Sequence, residues 1–350
     1  MKQRRLVEGL VVVVVLAVLA TLVSGPQQVA QLLGHANPLV YSLAFLAAFA
    51  WLLAWSETLY VLLGSQHGGL HWLRFRLVFL GGMGLRDLVP GGVVIGPAVI
   101  AYVVATSTPV ESEESLAMSF VAEVCYWLGS VVVAVVGLVG MVVLGQATPP
   151  RNLLAVLGVL TLLGGLLLAV GVRRPTLVEW PAHRVAWLAR ATVGRFSERL
   201  REALTEDAID ERLERFFDAL ARLADDPRLL VPALGWSVVG WAAKALALYL
   251  TLAALGLAVS PFVPLFVVTV GGVAEGLSLF PGGLGSVESS QALLLVVLTS
   301  LTLGPAGVAV FLYRLTSYWF RLPLGAASLL YLGVREPVMA EGSVVEQLEG

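Results

Sequence analysis

The chain is a succession of long apolar runs interrupted by one polar stretch. The apolar runs cover residues 6–24, 38–64, 77–105, 115–145, 151–172, 229–256, 262–303 and 305–333. A helix needs about 20 consecutive apolar residues to cross a bilayer, because the hydrocarbon core is about 30 Å thick. Most of the runs reach that length, so the pattern predicts an all-α polytopic membrane protein.

The composition agrees with this pattern. Apolar residues make up 58% and charged residues 13% of the 350 positions, and the mean hydropathy is +0.88. Soluble domains have about 25% charged residues. The net charge of −2 gives no reason to expect a nucleic-acid partner. The single cysteine, Cys125, excludes an internal disulfide and a cysteine metal cluster.

The polar stretch covers residues 173–228 and has a different character. It holds 11 of the 22 lysines and arginines and 11 of the 24 acidic residues. Leu213, Phe216, Phe217 and Leu220 recur at helical spacing, which predicts an amphipathic helix, and a looser pattern upstream predicts another. Two interpretations of this linker stay open: a solvated connection, or a surface with a regulatory or partner-binding role.

Basic residues predict the orientation of the spans. Groups of lysines and arginines precede the first run, follow the second, and follow the run 151–172, and the positive-inside rule places all three groups in the cytoplasm. The basic and apolar N-terminus also has features of a signal peptide, but without a convincing cleavage site we expect a retained first span. We therefore predict a plasma-membrane protein with both termini in the cytoplasm.

This orientation requires two of the runs to enter the membrane and return to the same side. We expect 77–105 and 262–303 to form such re-entrant hairpins, which leaves about six full spans. The chain then divides into an N-terminal membrane half (1–172), a cytoplasmic helical linker (173–228), a C-terminal membrane half (229–335) and an acidic tail (336–350).

Both predicted hairpins contain the same Pro-Gly-Gly element. The stretches are LRDLVPGGVVIGP (85–97) and LSLFPGGLGSVE (277–288). Proline removes a backbone donor and glycine permits positive φ, and such irregular backbone occurs at membrane depth only when it is buried in protein or lines a wet cavity. The two elements predict an inverted repeat with a substrate site where the broken helices meet. The alternative is an ordinary helix with a proline kink.

Besides Glu8 and Arg151 near the starts of their runs, nine charged residues lie within the apolar runs. They are Glu57, Arg86, Asp87, Glu123, Lys244, Glu275, Glu288, Arg314 and Arg321. Each charge costs about 2.5–3.5 kcal/mol at a helix centre, so these residues should pair or face water. Structural ion pairs are our interpretation for Glu57, Lys244 and Arg321, although Lys244 also belongs to a candidate site.

The candidate site is suited to an anionic headgroup. We expect the N-termini of the half-helices to present backbone N–H groups to a phosphate, with Arg86, Lys244 and Arg314 adding positive charge. His67 and His71 are expected in an interfacial loop rather than in a metal site. No nucleotide-binding or hydrolase motif is visible, so we expect no enzymatic activity, no cofactor and no metal ion.

The second element and the last span resemble the lysylphosphatidylglycerol-synthase transmembrane-domain family, also called the flippase-like domain family. The resemblance rests on SLFPGGLGSVES and FLYRLTSYWFRLPLG (311–325), and it covers roughly residues 5–335. The Pro-Gly-Gly-x-Gly-x-x-Glu motif of that family corresponds to Pro281, Gly282, Gly283, Gly285 and Glu288. The arginine and aromatic residues of its final span correspond to Arg314, Tyr313 and Tyr318. An earlier Pro-Gly-Gly element resembles Pro90, Gly91 and Gly92, and a glutamate in the span after it matches Glu123.

Two departures from the family pattern bear on function. Family members often have Glu-Arg where this chain has Glu123-Val124, which puts identical substrate contacts in doubt. The aminoacyl-transferase domain that gives the family its name is absent from these 350 residues, so lipid aminoacylation is not inferred.

The resemblance implies a flippase for a modified phospholipid or a polyprenyl-phosphate-linked sugar. The substrate-binding residues expected from pattern and resemblance together are Arg86, Asp87, Pro90, Gly91, Gly92, Glu123, Lys244, Glu275, Pro281, Gly282, Gly283, Gly285, Glu288, Tyr313 and Arg314. Expected partners are an anionic lipid headgroup and the bilayer, with a lipid-modifying enzyme or a second copy of the chain as further candidates. Two alternative functions stay open: a non-transporting scaffold of a lipid-modification or glycosylation complex, and an intramembrane polyprenyl-phosphate enzyme.

Overall fold

The computed structural model describes residues 26–64, 71–89, 92–145, 206–225, 227–276, 278 and 280–333, and all regular structure in these residues is helical. The helices are α1 (Pro26–Gly34), α2 (Pro38–Gly64), α3 (Trp72–Leu88), α4 (Gly92–Ser107), α5 (Ser112–Val143), α6 (Glu206–Asp225), α7 (Leu230–Ala254), α8 (Phe262–Gly276), α9 (Ser286–Leu298), α10 (Leu303–Arg314) and α11 (Arg321–Tyr331). The predicted first span, the run 151–172, the start of the linker and the acidic tail lie outside the described residues.

Among the described residues, three helices are long and apolar enough to cross a membrane: α2, α5 and α7. Helices α2 and α7 pack against each other along their length in antiparallel orientation. At one end the Thr58 hydroxyl donates to the Ala233 carbonyl at 3.2 Å, and at the other the Asn37 N–H donates to the Ala254 carbonyl at 2.7 Å. The prediction of a helical membrane protein is confirmed.

Helices α3 and α4 form a hairpin, here called hairpin 1. Their 17 and 16 residues correspond to about 25 Å each, less than the thickness of a hydrocarbon core. The helical stretch breaks between Leu88 and Gly92, within the first Pro-Gly-Gly element. The open end of the hairpin lies at the start of α5, because the Ser115 hydroxyl donates to the Ala101 carbonyl at 3.0 Å.

Helices α8 and α9 form hairpin 2, which begins at the opposite end of α5. The helical stretch breaks between Gly276 and Ser286, across the second Pro-Gly-Gly element. Phe262 at the start of α8 packs beside Gly140 near the end of α5. The tip of hairpin 2 contacts α3, and α8 contacts α4. The two hairpins therefore approach each other tip to tip beside α5.

The final apolar run is one helical column with an irregular turn. Helix α10 continues through a π-helical turn, Leu315–Trp319, into α11. The Phe320 N–H donates to the Leu315 carbonyl at 3.0 Å, which is the i to i+5 bond of a π-turn. Helix α11 packs closely on α3 because both have a glycine at the crossing, Gly84 and Gly325.

Helix α6 is the second of the two amphipathic helices predicted in the linker. Its apolar face lies on the first half of α5, where Ala219 and Leu223 are buried and Phe216 contacts Phe120 edge to face. Arg215 forms an ion pair with Glu113 at 3.3 Å. The linker is therefore packed on the membrane helices along this segment.

Candidate functional site

Eight charged side chains meet where the two hairpin tips face each other. This charge cluster consists of Arg86 and Asp87 on α3, Glu123 on α5, Lys244 on α7, Glu275 on α8, Glu288 on α9, Arg314 on α10 and Arg321 on α11. Four carry positive and four carry negative charge, so the cluster is neutral as a whole. Seven helices contribute to it, and Lys244 lies near the middle of α7. Trp51, which contacts two of the cations, is the central residue of α2.

The first ion pair joins hairpin 1 to α5. Arg86 donates from Nη1 to Glu123 Oε2 at 2.9 Å and from Nη2 to Oε1 at 3.0 Å, the two-pronged geometry that suits arginine and carboxylate. The side chain of Arg86 runs past Gly96 on α4, and a Cβ at that position would lie 2.5 Å from its Nε. The glycine therefore makes room for the arginine inside the hairpin.

The second ion pair joins hairpin 1 to the last helix. Arg321 donates from Nη2 to Asp87 Oδ1 at 2.7 Å, and its guanidinium lies over the Trp51 ring at 5.0 Å. Both charged residues are buried. Arg321 therefore forms a buried ion pair, as expected, and its partner lies at the tip of hairpin 1.

The third ion pair fixes the tip of hairpin 2. Arg314 donates from Nε to Glu288 Oε1 at 2.7 Å and from Nη2 to the Gly282 carbonyl at 2.6 Å. Gly282 has φ +60, and a side chain there would overlap the ring of Tyr318, which also stacks under Arg314 at 4.6 Å. Arg314 thus binds the tip of hairpin 2 at two points, the backbone carbonyl of Gly282 and the carboxylate of Glu288.

Glu288 also changes what the N-terminus of α9 can bind. Its Oε2 accepts the Gly285 N–H at 2.7 Å, so the carboxylate itself occupies the position that we expected to be open to a phosphate. An acidic side chain is favourable there because the helix dipole is positive at its N-terminus. An anion at this tip would therefore have to be bound by side chains rather than by the helix N-terminus.

Lys244 has an aromatic environment instead of a carboxylate partner. Its Nζ lies 4.7 Å from the Trp51 ring, 4.7 Å from the Trp241 ring and 5.7 Å from the Trp55 ring. Trp55 stacks on Tyr126 at 4.3 Å, and the Trp241 indole N–H donates to the Tyr126 carbonyl at 2.7 Å. These contacts hold the three indoles, here called the indole cage, in fixed positions around the ammonium group.

Glu275 lies at the end of α8, directly below the turn of hairpin 2. Its Cα would be 3.0 Å from a Cβ placed on Gly283. The carboxylate interacts electrostatically with Lys244, Arg321, Arg314 and Arg86, all four cations of the cluster. Within the described part of the chain it makes no hydrogen bond or close ion pair.

The other predicted site residues have different positions. Pro90 and Gly91 lie outside the described residues, and Gly92 begins α4. Pro281 opens the short 3₁₀ turn Pro281–Gly283 at the tip of hairpin 2. Tyr313 is buried next to Arg314, and its ring packs in the core.

Sequence reasoning missed three residues of the site's surroundings, Trp51, Trp55 and Trp241, which form the indole cage. Tyr318, which the family resemblance named, supports the turn at Gly282. The spacing of Trp51 and Trp55, four residues apart on a predicted helix, could have indicated a shared face, but nothing in the sequence connects that face to α7. Glu57, by contrast, pairs with Arg76 and accepts from the Trp72 indole at 3.0 Å, away from the cluster, as a structural ion pair.

Comparison with known proteins identifies a family for most of the chain. The family model described as Lysylphosphatidylglycerol synthase TM region matches residues 7–325. No curated protein matches the chain. The matched range contains both hairpins and every residue of the charge cluster.

Proposed function

Because the chain belongs to the lysylphosphatidylglycerol synthase TM-region family, a membrane domain of flippase-like type, we propose that it moves an anionic lipid between the two leaflets. The lipid is a modified phospholipid or a polyprenyl-phosphate-linked sugar. The observation that carries this proposal is the neutral charge cluster at the facing hairpin tips, surrounded by apolar helices.

The arrangement of the hairpins supports an inverted repeat. The open end of hairpin 1 lies at the start of α5 and hairpin 2 begins at its end, so the two enter from opposite ends of one long apolar helix. Transporters with inverted repeats bind substrate near the midplane between discontinuous helices. We propose that both hairpins are re-entrant and that the headgroup binds between their tips while the acyl or prenyl chains remain in lipid.

The ion pairs of α10 and α11 with the hairpin tips provide a mechanism by which the site would open. Arg314 binds the tip of hairpin 2, and Arg321 binds Asp87 at the tip of hairpin 1. A headgroup phosphate competes with these carboxylates for the guanidinium groups, since arginine binds phosphate and carboxylate in the same two-pronged way. Exchange of one ion pair at a time would release one tip and open the site toward one leaflet, which is the differential contact that a two-state change requires.

The test is translocation by the purified full-length chain in liposomes. We expect fluorescent phosphatidylglycerol to become accessible to an impermeant quencher faster than in protein-free liposomes. Glu288→Ala and Arg314→Ala should each slow this movement about tenfold or more, because each leaves a buried partner unpaired. Glu211→Ala, on the exposed face of α6, is the matched control and should keep the wild-type rate.

Lipids that copurify with the chain test the site independently of movement. Mass spectrometry of the wild type should detect enrichment of one anionic lipid, which both Glu288→Ala and Arg314→Ala lose. A wild-type rate equal to that of protein-free liposomes, together with an unselective lipid profile, would contradict the proposal.

A further inference from the structure

The ion pairs of the charge cluster use only six of its eight members. Arg86 pairs with Glu123, Arg321 with Asp87, and Arg314 with Glu288. Each pair connects two secondary-structure elements, so in this arrangement of the helices the six charged groups already have partners, and the exchange proposed above would break one pair at a time. The two members left over are one cation, Lys244, and one carboxylate, Glu275.

Lys244 carries three ammonium donors without an acceptor. Within the described residues no hydrogen bond or ion pair reaches its Nζ, although the residue is only 8% exposed. Cation–π contacts with the indole cage contribute about 0.5–2 kcal/mol each. They stabilise the positive charge from the side but offer no hydrogen-bond acceptor to its three N–H groups. An oxyanion would supply the missing acceptors.

Glu275 is the complementary case. Its side chain is partly exposed and its oxygens receive no donor from the described residues. Of the four cations, Lys244 has the strongest electrostatic interaction with Glu275, yet the two groups are too far apart to form an ion pair. An ionised carboxylate is an acceptor only, so it is suited to an N–H or O–H donor.

We propose that Lys244 and Glu275 are the headgroup-binding pair of this site: Lys244 binds the phosphate, and Glu275 binds an N–H or O–H donor that the headgroup carries beyond the phosphate. This inference rests on the proposed function, and it narrows the substrate class. Phosphate alone is not sufficient for tight binding. A headgroup with hydroxyl groups or a primary amine is favoured over one that ends at the phosphate or in a quaternary ammonium group.

Four lipids separate these possibilities. Phosphatidic acid ends at the phosphate, phosphatidylglycerol adds hydroxyl donors, phosphatidylethanolamine adds an ammonium donor, and phosphatidylcholine adds a cation without N–H groups. The full-length chain is placed in nanodiscs containing equal amounts of the four, and the lipids retained after delipidation are quantified by mass spectrometry. A preference for phosphatidylglycerol identifies the donor as hydroxyl, and a preference for phosphatidylethanolamine identifies it as ammonium.

The variants are Lys244→Met, Lys244→Arg and Glu275→Gln, with Arg222→Met on the exposed face of α6 as the control. We expect Lys244→Met to lower retention of the preferred lipid about tenfold, the effect of leaving one buried polar group unpaired. Lys244→Arg should restore part of it. Glu275→Gln should reduce the preference over phosphatidic acid to about onefold, and the control should match the wild type.

A second readout tests the position of the lipid directly. The tryptophan fluorescence of the wild type should change when the preferred lipid is added, because the ammonium group in the indole cage moves toward the phosphate. Glu275→Gln leaves the indole cage in place, so a wild-type tryptophan spectrum before lipid is added shows that this variant is folded.

Equal retention of phosphatidic acid and the preferred lipid by the wild type would overturn the inference, and so would wild-type selectivity in both Lys244→Met and Glu275→Gln. Failure of the proposed function has a different signature. Selective retention that depends on Lys244 and Glu275, without any translocation in liposomes, would leave the binding pair intact and remove the flippase.

Discussion

At the scale of single residues, the turn of hairpin 2 depends on glycine for two separate reasons. Gly282, Gly283 and Gly285 all have positive φ, which side chains other than glycine adopt at a cost. Only some of these positions are also crowded. A Cβ on Gly282 would overlap Tyr318, whereas a Cβ on Gly285 would meet nothing within 4 Å.

This difference predicts unequal effects of alanine at the two positions. Gly285→Ala pays only the backbone strain, about 1–2 kcal/mol. Gly282→Ala adds the displacement of Tyr318, so we expect a clearly lower melting temperature and weaker lipid retention, because the carbonyl of residue 282 then shifts away from Arg314. Thermal unfolding in detergent, monitored by tryptophan fluorescence, gives the melting temperatures of the two variants, and mass spectrometry gives the retained lipid. Equal melting temperatures would show that Tyr318 moves aside freely.

The sequence predicted which charged residues belong to the site but not how they pair. The cost of a buried charge identified all eight members of the charge cluster as residues that must pair or face water. It could not assign the partners, because Arg321 and Asp87 are 234 positions apart and several other pairings are equally neutral. The indole cage was missed for a related reason: aromatic residues in apolar runs are expected in any membrane helix, and only the packing of α2 on α7 gives these three a common target.

At the scale of elements, the crossing of α3 and α11 determines how the last helix reaches hairpin 1. A Cβ on Gly325 would lie 2.7 Å from the Gly84 Cα and 2.9 Å from the Leu80 carbonyl oxygen. Small residues at helix crossings allow backbones to approach closely, and the van der Waals packing that results stabilises helix association in lipid. The Arg321–Asp87 ion pair lies one turn away on the same interface.

Alanine at Gly325 should therefore separate the two helices. We expect a destabilisation of about 1–3 kcal/mol, as for other insertions into a packed interface, and lower translocation. Gly307→Ala on α10 is the matched control, since nothing lies within 4 Å of that position and alanine favours a helix. Thermal unfolding of the two variants side by side measures the difference, and equal stability would mean that the crossing is loose.

For α6, the sequence predicted that a helix forms but not where it packs. Its amphipathic pattern predicted a helix, but the face of α5 that receives it could not be read from periodicity. The acidic stretch at the start of α5 is the partner, because the Glu113 carboxylate forms ion pairs with Arg215 at 3.3 Å and Arg212 at 3.8 Å.

Reversal of this charge should release α6. Arg215→Glu places two carboxylates together, and we expect faster cleavage within residues 206–225 by an added protease. Arg222→Glu, on an exposed position without an ion pair in the described residues, should be cleaved at the wild-type rate. Lipid translocation should persist in Arg215→Glu if the membrane helices are the transporter. Loss of translocation there would favour the scaffold alternative.

At the scale of the whole molecule, the sequence predicted a helical membrane protein and its family, and both are confirmed. The six full spans and the inverted repeat of re-entrant hairpins stay predictions. The breaks at the two Pro-Gly-Gly elements could also be anticipated, since Pro and Gly disfavour a continuous helix there. The parity of the spans stays a prediction. It depends on stretches such as 151–172 that lie outside the described residues.

The sidedness of single cysteines tests this parity in the intact protein. The buried Cys125 is first changed to serine, and cysteine then replaces His71, Glu111 or Ser260 one at a time. An impermeant maleimide added to sealed cells should label the Ser260 position only, whereas broken cells should give labelling of all three. Labelling of the first two positions from outside would reverse the predicted orientation, and labelling of all three from one side would remove the inverted repeat.

The π-helical turn between Arg314 and Arg321 has a consequence for how this chain can vary in length. A π-turn holds one residue more than an α-turn, and deletion of one residue from Leu315–Trp319 would restore regular α-geometry. The residues after the deletion would keep nearly the same positions, because the five-residue step from Leu315 to Phe320 in the π-turn covers about the same rotation and rise as a four-residue step in an α-helix. Insertion of one further residue would instead rotate every later residue by about 100° around the helix axis and advance it by about 1.5 Å. Arg321 would then face away from Asp87 while Arg314 stayed in place, so this stretch accepts the loss of one residue more readily than a gain.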